Sequence, residues 1–228
     1  MLFLQPRELF KNLMFVLIID YGSGNIKSVY NSVKRTLHSF NKFSEVKVSR
    51  NLSEIEKADK IILPGVGSFD QCMNRIRKIK DLVEILRDQV ITKKKPYLGI
   101  CVGMQILADH GFENQKTKGL SWINGDVKPL KNFLDNSQNL KIPHMGWNGL
   151  SIYKNNNLFN NITVNDQFYF VHSYFFDIKH KKNIICNTQY GISIPAIVNQ
   201  NNIFGFQFHP EKSGRSGLKI LYNWLKLS

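Results

Sequence analysis

Cys101 stands in Gly99-Ile100-Cys101-Val102-Gly103, a nucleophilic side chain set between two glycines. The Pro96–Ile100 run before it is apolar and strand-like, and Val102–Ala108 after it has helical composition. This is the layout of a nucleophile elbow, where the reactive residue occupies a strained strand-to-helix turn. Flanking glycines are required because a Cβ at either place would strike the neighbouring helix or strand. A helix N-terminus beside a sulfur also favours its thiolate. Free cysteines are otherwise mostly small buried hydrophobes, the reading given to Cys72 and Cys186. A thiolate nucleophile needs a base, and the base needs a group to orient it. Phe204–Phe208 is an apolar strand-like run that ends in His209-Pro210-Glu211. With one residue between them, Glu211 can fold back to the His209 imidazole and fix its tautomer. The chemistry indicated is nucleophilic catalysis by a Cys–His–Glu set.

The elements that must bring these residues together alternate in type. Phe15–Ile19 predicts a strand buried on both faces, and Asp20–Asn25 is turn-rich. Ile26, Val29, Tyr30, Val33 and Leu37 recur at helical spacing. Val46–Val48 and Ile61–Leu63 predict short strands, the second cut off by Pro64 and the loop Gly65-Val66-Gly67. Residues 70–92 predict a helix with Cys72, Ile76, Ile79 and Val83 on one side. The second half is strand-rich, with short runs at Trp122-Ile123, Phe168–Phe176, Ile184–Cys186, Ile194–Val198 and Ile203–Phe208, before a closing helix over Leu218–Leu227. The expectation is one α/β domain, a mostly parallel central sheet flanked by helices, with more β structure in the C-terminal half. It spans 14–228, and residues 1–13 read as an extension preceding Met14.

Composition narrows the class. The 228 residues are 43% hydrophobic and 21% charged, ordinary for a soluble domain. The excess of 31 Lys+Arg over 17 Asp+Glu gives +14, but the lysines are scattered and no aromatic residues interleave with them, so nucleic-acid binding is not expected. Three cysteines without a CxxC make neither a disulfide framework nor a metal set, and point to a reducing, cytoplasmic setting. No apolar run reaches the ~20 residues needed to cross a bilayer. Gly22-x-Gly24 lacks the spacing of a phosphate or dinucleotide loop and reads as a structural turn.

Six blocks, in order, resemble the class I (triad) glutamine amidotransferases, and more narrowly the glutaminase subunits of imidazole glycerol phosphate synthases. They are Ile19–Asn25, Pro64–Phe69, Gly99–Gln105, Pro143–Asn148, Phe170–Tyr174 and Phe206–Ser213. The resemblance covers residues 14–228. It implies that Cys101 attacks the side-chain amide of L-glutamine, that His209 passes a proton to departing ammonia, and that Glu211 orients the imidazole. It places an oxyanion hole at the backbone N–H groups of Val102 and Val66, the latter after a backbone reorientation. Gly65, Gly67, Gln105, Glu113, Ser173 and Tyr174 match substrate-binding positions. His144, Met145, Trp147, Asn148 and Lys212 match positions facing a synthase subunit of TIM-barrel fold, to which ammonia is channelled. His172 belongs to a motif without being counted as catalytic. No metal or cofactor is implied.

The segment Leu107–Glu113 departs from the acidic, Phe-Glu-containing sequence of many histidine-pathway members. Two destinations for the ammonia therefore stay open: imidazole glycerol phosphate, or an amidino or guanidino sugar. A non-catalytic regulatory protein on the same scaffold is a third reading, against which the intact Cys–His–Glu set argues.

Overall fold

The computed structural model describes residues 14–40, 44–135, 139–153 and 156–227; the extension at 1–13 lies outside the described residues. The first half runs β1 (Met14–Ile19), α1 (Ile26–Leu37), β2 (Ser44–Ser49), α2 (Leu52–Lys57), β3 (Lys60–Gly65), α3 (Phe69–Lys78), α4 (Leu82–Arg87), β4 (Tyr97–Cys101) and α5 (Val102–Gln105). The second half adds β5 (His110–Glu113), β6 (Gln115–Lys118), β7 (Gly125–Pro129), β8 (His144–Asn148), β9 (Ser151–Ile152), β10 (Phe168–His172), β11 (Tyr174–Ile178), β12 (Ile184–Tyr190), β13 (Ile192–Gln200), β14 (Ile203–Phe206) and α6 (Gly214–Lys226).

The central sheet has eight strands in the order β2-β1-β3-β4-β14-β13-β12-β9. The first five are parallel, and the sheet turns antiparallel from β14 onward. In β1, Val16–Ile19 are wholly buried, as a β-branched run covered on both faces must be. Helices α1 and α6 bury stripes at helical spacing, Val29, Val33 and Leu37 in one and Ile220, Leu221 and Trp224 in the other. Beside the main sheet lie a two-stranded sheet, β10-β8, and a four-stranded one, β11-β7-β5-β6. No helix among the described residues is long and apolar enough to cross a membrane.

Several elements differ from the sequence reading. The helix expected over 70–92 is broken: α3 ends at Lys78, Asp81 adopts a left-handed φ of 59°, and α4 passes into a π-helical turn over Asp88–Thr92. The buried face is reset by this break, from Cys72 and Ile76 to Leu82 and Leu86, so Ile79 and Val83 are only partly covered. Strand β3 runs through Pro64 to Gly65. Pairing with β1 stops at Ile62, so only the β4 ladder flanks Pro64. The Phe168–Phe176 run splits at Ser173 into strands of two different sheets, and Trp122-Ile123 lies in a bend before β7.

Candidate active site

Cys101 closes β4 and precedes α5, and it has φ 54° and ψ −111°, strongly unfavourable for a residue with a Cβ. The turn is held because helix and strands touch without side chains between them. A Cβ on Gly103 would lie 2.0 Å from the Leu63 carbonyl oxygen, and one on Gly99 2.2 Å from that of Gly103. The side chain is thereby lifted out at the C-terminal end of the parallel strands, where ligands of open α/β sheets gather.

The neighbouring strand supplies the base. β14 runs parallel to β4 in a register that pairs Phe206 with Ile100, so His209, three residues beyond the strand, comes level with the elbow. His209 is 2% exposed, and its Nδ1 lies 2.7 Å from Glu211 Oε1. Burial alone would push the imidazole pKa down, but the Cys101 sulfur and the Glu211 carboxylate outweigh it and hold it up to about 10. His209 is therefore an imidazolium bonded through Nδ1 to Glu211, leaving Nε2 for the sulfur. The same Glu211 oxygen accepts a 2.5 Å bond from Asn25 Nδ2. Asn25, in the left-handed region at φ 65° ahead of α1, carries no signal in the sequence beyond its place in the turn-rich Ile19–Asn25 block.

In front of the sulfur is a cavity of about 340 Å³ lined by Val66, Gly67, Val102, Gln105, Glu113, Ser173, Tyr174 and Lys212, among others. It falls in the size range of small-molecule sites. Thus most residues singled out in the sequence meet here, while Gly65 and Glu211 stand behind the lining. Glu113 Oε2 accepts from the Phe69 N–H at the start of α3, and burial raises its pKa. The Gln105 Nε2 group bonds the Tyr174 carbonyl at 3.0 Å and Gln207 Oε1 at 3.1 Å. Both of its hydrogens are then engaged, and its free carbonyl can only accept. The Val66 N–H does not point to the sulfur; it donates to Ser23 Oγ at 3.2 Å. Ser23 gave no signal in the sequence beyond its place in a turn.

Of the residues matched to a partner-facing surface, Met145 and Trp147 are 61% and 57% exposed. Tyr169 lies between Trp147 and Lys212: it meets the indole edge-on at 6.0 Å and carries Lys212 Nζ 5.6 Å from its ring centre. Asn148 is half-buried. His144 does not fit a surface role, because it is 3% exposed and stacked between Phe170 and Tyr190. Strand alternation explains this: Met145 and Trp147 point outward, so His144 points in. Its Nδ1 lies 3.0 Å from His172 Nε2, and His172 Nδ1 lies 2.9 Å from the Tyr174 carbonyl. That carbonyl can only accept, so His172 donates through Nδ1 and accepts at Nε2 from His144. Burial keeps both rings neutral, pulling His144 down to about 4; for His172, burial and then the His144 ring pull it to about 3.

Residues 17–227 match the family described as glutamine amidotransferase class-I. The chain is 46% identical over 215 residues to the imidazole glycerol phosphate synthase subunit HisH of Pelagibacter ubique, covering 94% of this chain and 100% of that protein. It is 39% identical over 216 residues to the protein of the same name from Brucella suis, covering 93% and 99%. Among solved structures it is similar to a glutamine amidotransferase with a TM-score of 0.66 at 17% identity, covering 89% of this chain and 94% of that one. A glutamine amidotransferase from Thermotoga maritima gives 0.60 at 18%, covering 89% and 78%. At such identities the structural likeness speaks for the fold alone.

Proposed function

Because the chain belongs to the class-I glutamine amidotransferase family, we propose that it is the glutaminase subunit of an imidazole glycerol phosphate synthase, with Cys101, His209 and Glu211 as its catalytic set. The observation that carries the reading is the buried line of side chains running from the Cys101 elbow through His209 to Glu211, with Cys101 and His209 lining a cavity large enough for an amino acid. The Cys101 sulfur attacks the side-chain amide carbon of L-glutamine and pushes the carbonyl electrons onto oxygen. The Val102 N–H, first of α5, receives that oxyanion, joined by Val66 N–H once it leaves Ser23. As the tetrahedral species collapses, His209 gives its proton to the departing nitrogen and ammonia leaves. Water then adds to the thioester carbon with neutral His209 taking its proton. Collapse of this second adduct breaks the carbon–sulfur bond, the electron pair returns to Cys101 as thiolate beside the re-protonated His209, and glutamate departs.

Glu113, Ser173 and Tyr174 line the cavity where the amino-acid end of glutamine would lie, and Gln105 offers its carbonyl to an N–H of the substrate. Met145, Trp147, Tyr169 and Lys212 form an exposed aromatic and cationic patch suited to a synthase subunit of TIM-barrel fold; His144 supports it from beneath. Residues 14–228 make the amidotransferase domain, and 1–13 precede it. Three free, buried cysteines suit work in the cytoplasm. The deciding experiment pairs the chain with its synthase subunit and acceptor. Cys101→Ala should abolish glutamine-dependent turnover and leave ammonia-dependent turnover intact. Glutamine hydrolysis that survives the substitution refutes the mechanism. Loss of the gene should impose a histidine requirement; prototrophy would send the ammonia to another acceptor.

A further inference from the structure

Gln207 is wholly buried between β14 and the base, and its amide spans the space from Gln105 to the nucleophile. Its Nε2 lies 3.8 Å from Cys101 Sγ and its Oε1 3.1 Å from Gln105 Nε2. The two ends of an amide have the same shape, so its direction must follow from what its neighbours can offer. The Tyr174 carbonyl offers only lone pairs, and it receives His172 Nδ1–H at 2.9 Å and Gln105 Nε2–H at 3.0 Å. The Gln105 NH2 is thus fixed toward Tyr174, and its second hydrogen reaches Gln207. Gln207 must meet that hydrogen with its carbonyl, which turns its own NH2 to the sulfur. The chain of bonds leaves no freedom: a carbonyl on β11, in the four-stranded sheet, dictates that a donor faces Cys101.

A donor aimed at sulfur discriminates between its charge states, because a hydrogen bond to an anion is about twice as strong as one between neutral groups. We infer that Gln207, itself wholly buried, is a stabiliser of the Cys101 thiolate in addition to His209. The inference rests on Cys101 being the nucleophile. It adds a role in both halves of the reaction. The Gln207 N–H lowers the cost of holding S⁻ ready for attack, and it receives S⁻ again when the carbon–sulfur bond of the thioester breaks and the electron pair returns to sulfur. A residue that merely filled space here would need no donor in this direction.

Two variants separate donor from filler. Gln207→Glu keeps an acceptor for Gln105 and loses the amide donor, while Gln207→Met loses both polar ends without adding charge. In the full chain bound to its synthase subunit, iodoacetamide alkylation of Cys101 at neutral pH should slow about tenfold in each, with glutamine-dependent turnover falling alongside. In Gln207→Met the alkylation rate should recover as the pH is raised. A measurement without substitution guards against variants that do not fold. In the 15N-labelled wild-type chain, alkylating Cys101 should shift the Gln207 side-chain N–H signals, while those of Gln89, bonded to Asp88, stay in place. Unchanged alkylation rates in folded variants, or unmoved Gln207 signals, overturn the inference. Those results would leave the nucleophile itself standing, since that is judged separately by Cys101→Ala.

Discussion

Replacing Glu211 by glutamine removes a charge and leaves the geometry around it. The carboxylate side chain is 1% exposed, and its Oε1 takes bonds from both His209 Nδ1, at 2.7 Å, and Asn25 Nδ2, at 2.5 Å. A glutamine carbonyl can take both. Its NH2 would then occupy the place of Oε2, which is buried without a hydrogen-bond partner among the described residues. What is lost is the charge in two bonds. Hydrogen bonds to charged groups contribute about 1.5–3 kcal/mol and neutral ones about 0.5–1.5 kcal/mol. The net loss is then about 2–3 kcal/mol, or on the order of 30- to 150-fold in kcat/KM for glutamine-dependent turnover. Glu211→Ala additionally strands two buried donors, each costing about 1–3 kcal/mol, so it should fall at least about tenfold below the glutamine variant. The assay is steady-state turnover with saturating synthase subunit, alongside imidazole NMR of His209. In Glu211→Gln the His209 pKa should come down from about 10. A stability effect accompanies this: the fold binds the His209 proton more tightly than the unfolded chain, so the gain is full below about pH 6.5 and fades as pH rises toward about 10. Equal losses in the glutamine and alanine variants, or an unmoved His209 titration, would refute the reasoning.

Three further outcomes are expected. His144 and His172 stay neutral in the fold down to about pH 4 and 3, whereas the unfolded chain protonates them near 6.5. Stability should therefore drop as pH falls below about 6.5, by about 1.4 kcal/mol per unit for each ring, and His144→Phe should flatten the urea-midpoint curve between pH 6 and 4. Gly103→Ala drives a methyl to 2.0 Å from a backbone oxygen that cannot step aside, and should cost on the order of 3 kcal/mol, read as a fallen Tm or insoluble protein. Trp147→Ala, at a 57% exposed position, should leave the Tm of the isolated chain within a degree or two while weakening the complex by about 2 kcal/mol, measurable by calorimetric titration. A Tm loss without a binding loss would make Trp147 a core residue.

The parts of the molecule legible in its sequence are those set by short-range pattern. The strand cores at 15–19 and 97–100, the elbow and the His-x-Glu at a strand end all follow from periodicity and local sterics. The break at Asp81 was not legible, since neither glycine nor proline marks it and the helical apolar spacing continues across it. Strand-level alternation could have shown that His144 and Trp147 point to opposite sides, but a motif read as a block hides that. Asn25 and Gln207 depend on contacts at sequence separations of 186 and 106 residues, beyond the reach of any local rule. Gln207 did leave one trace, as the lone polar residue in Phe204-Gly205-Phe206-Gln207-Phe208. A buried amide inside such a run must find partners, and here it found the nucleophile.

The shared register of β4 and β14 bears on how the enzyme fails. Cys101 and His209 are spaced by two adjacent, hydrogen-bonded parallel strands, the fourth and fifth of the eight in the main sheet, with three further strands on either side. That spacing changes only if the strands part or slip, and a slip of one residue would carry a side chain about 3.3 Å and turn it to the opposite face. Interior strands open last, near the free energy of global unfolding. Warming should therefore leave the sulfur–imidazole pair assembled until the whole domain melts, so that loss of Cys101 alkylation selectivity and loss of tertiary structure share one transition.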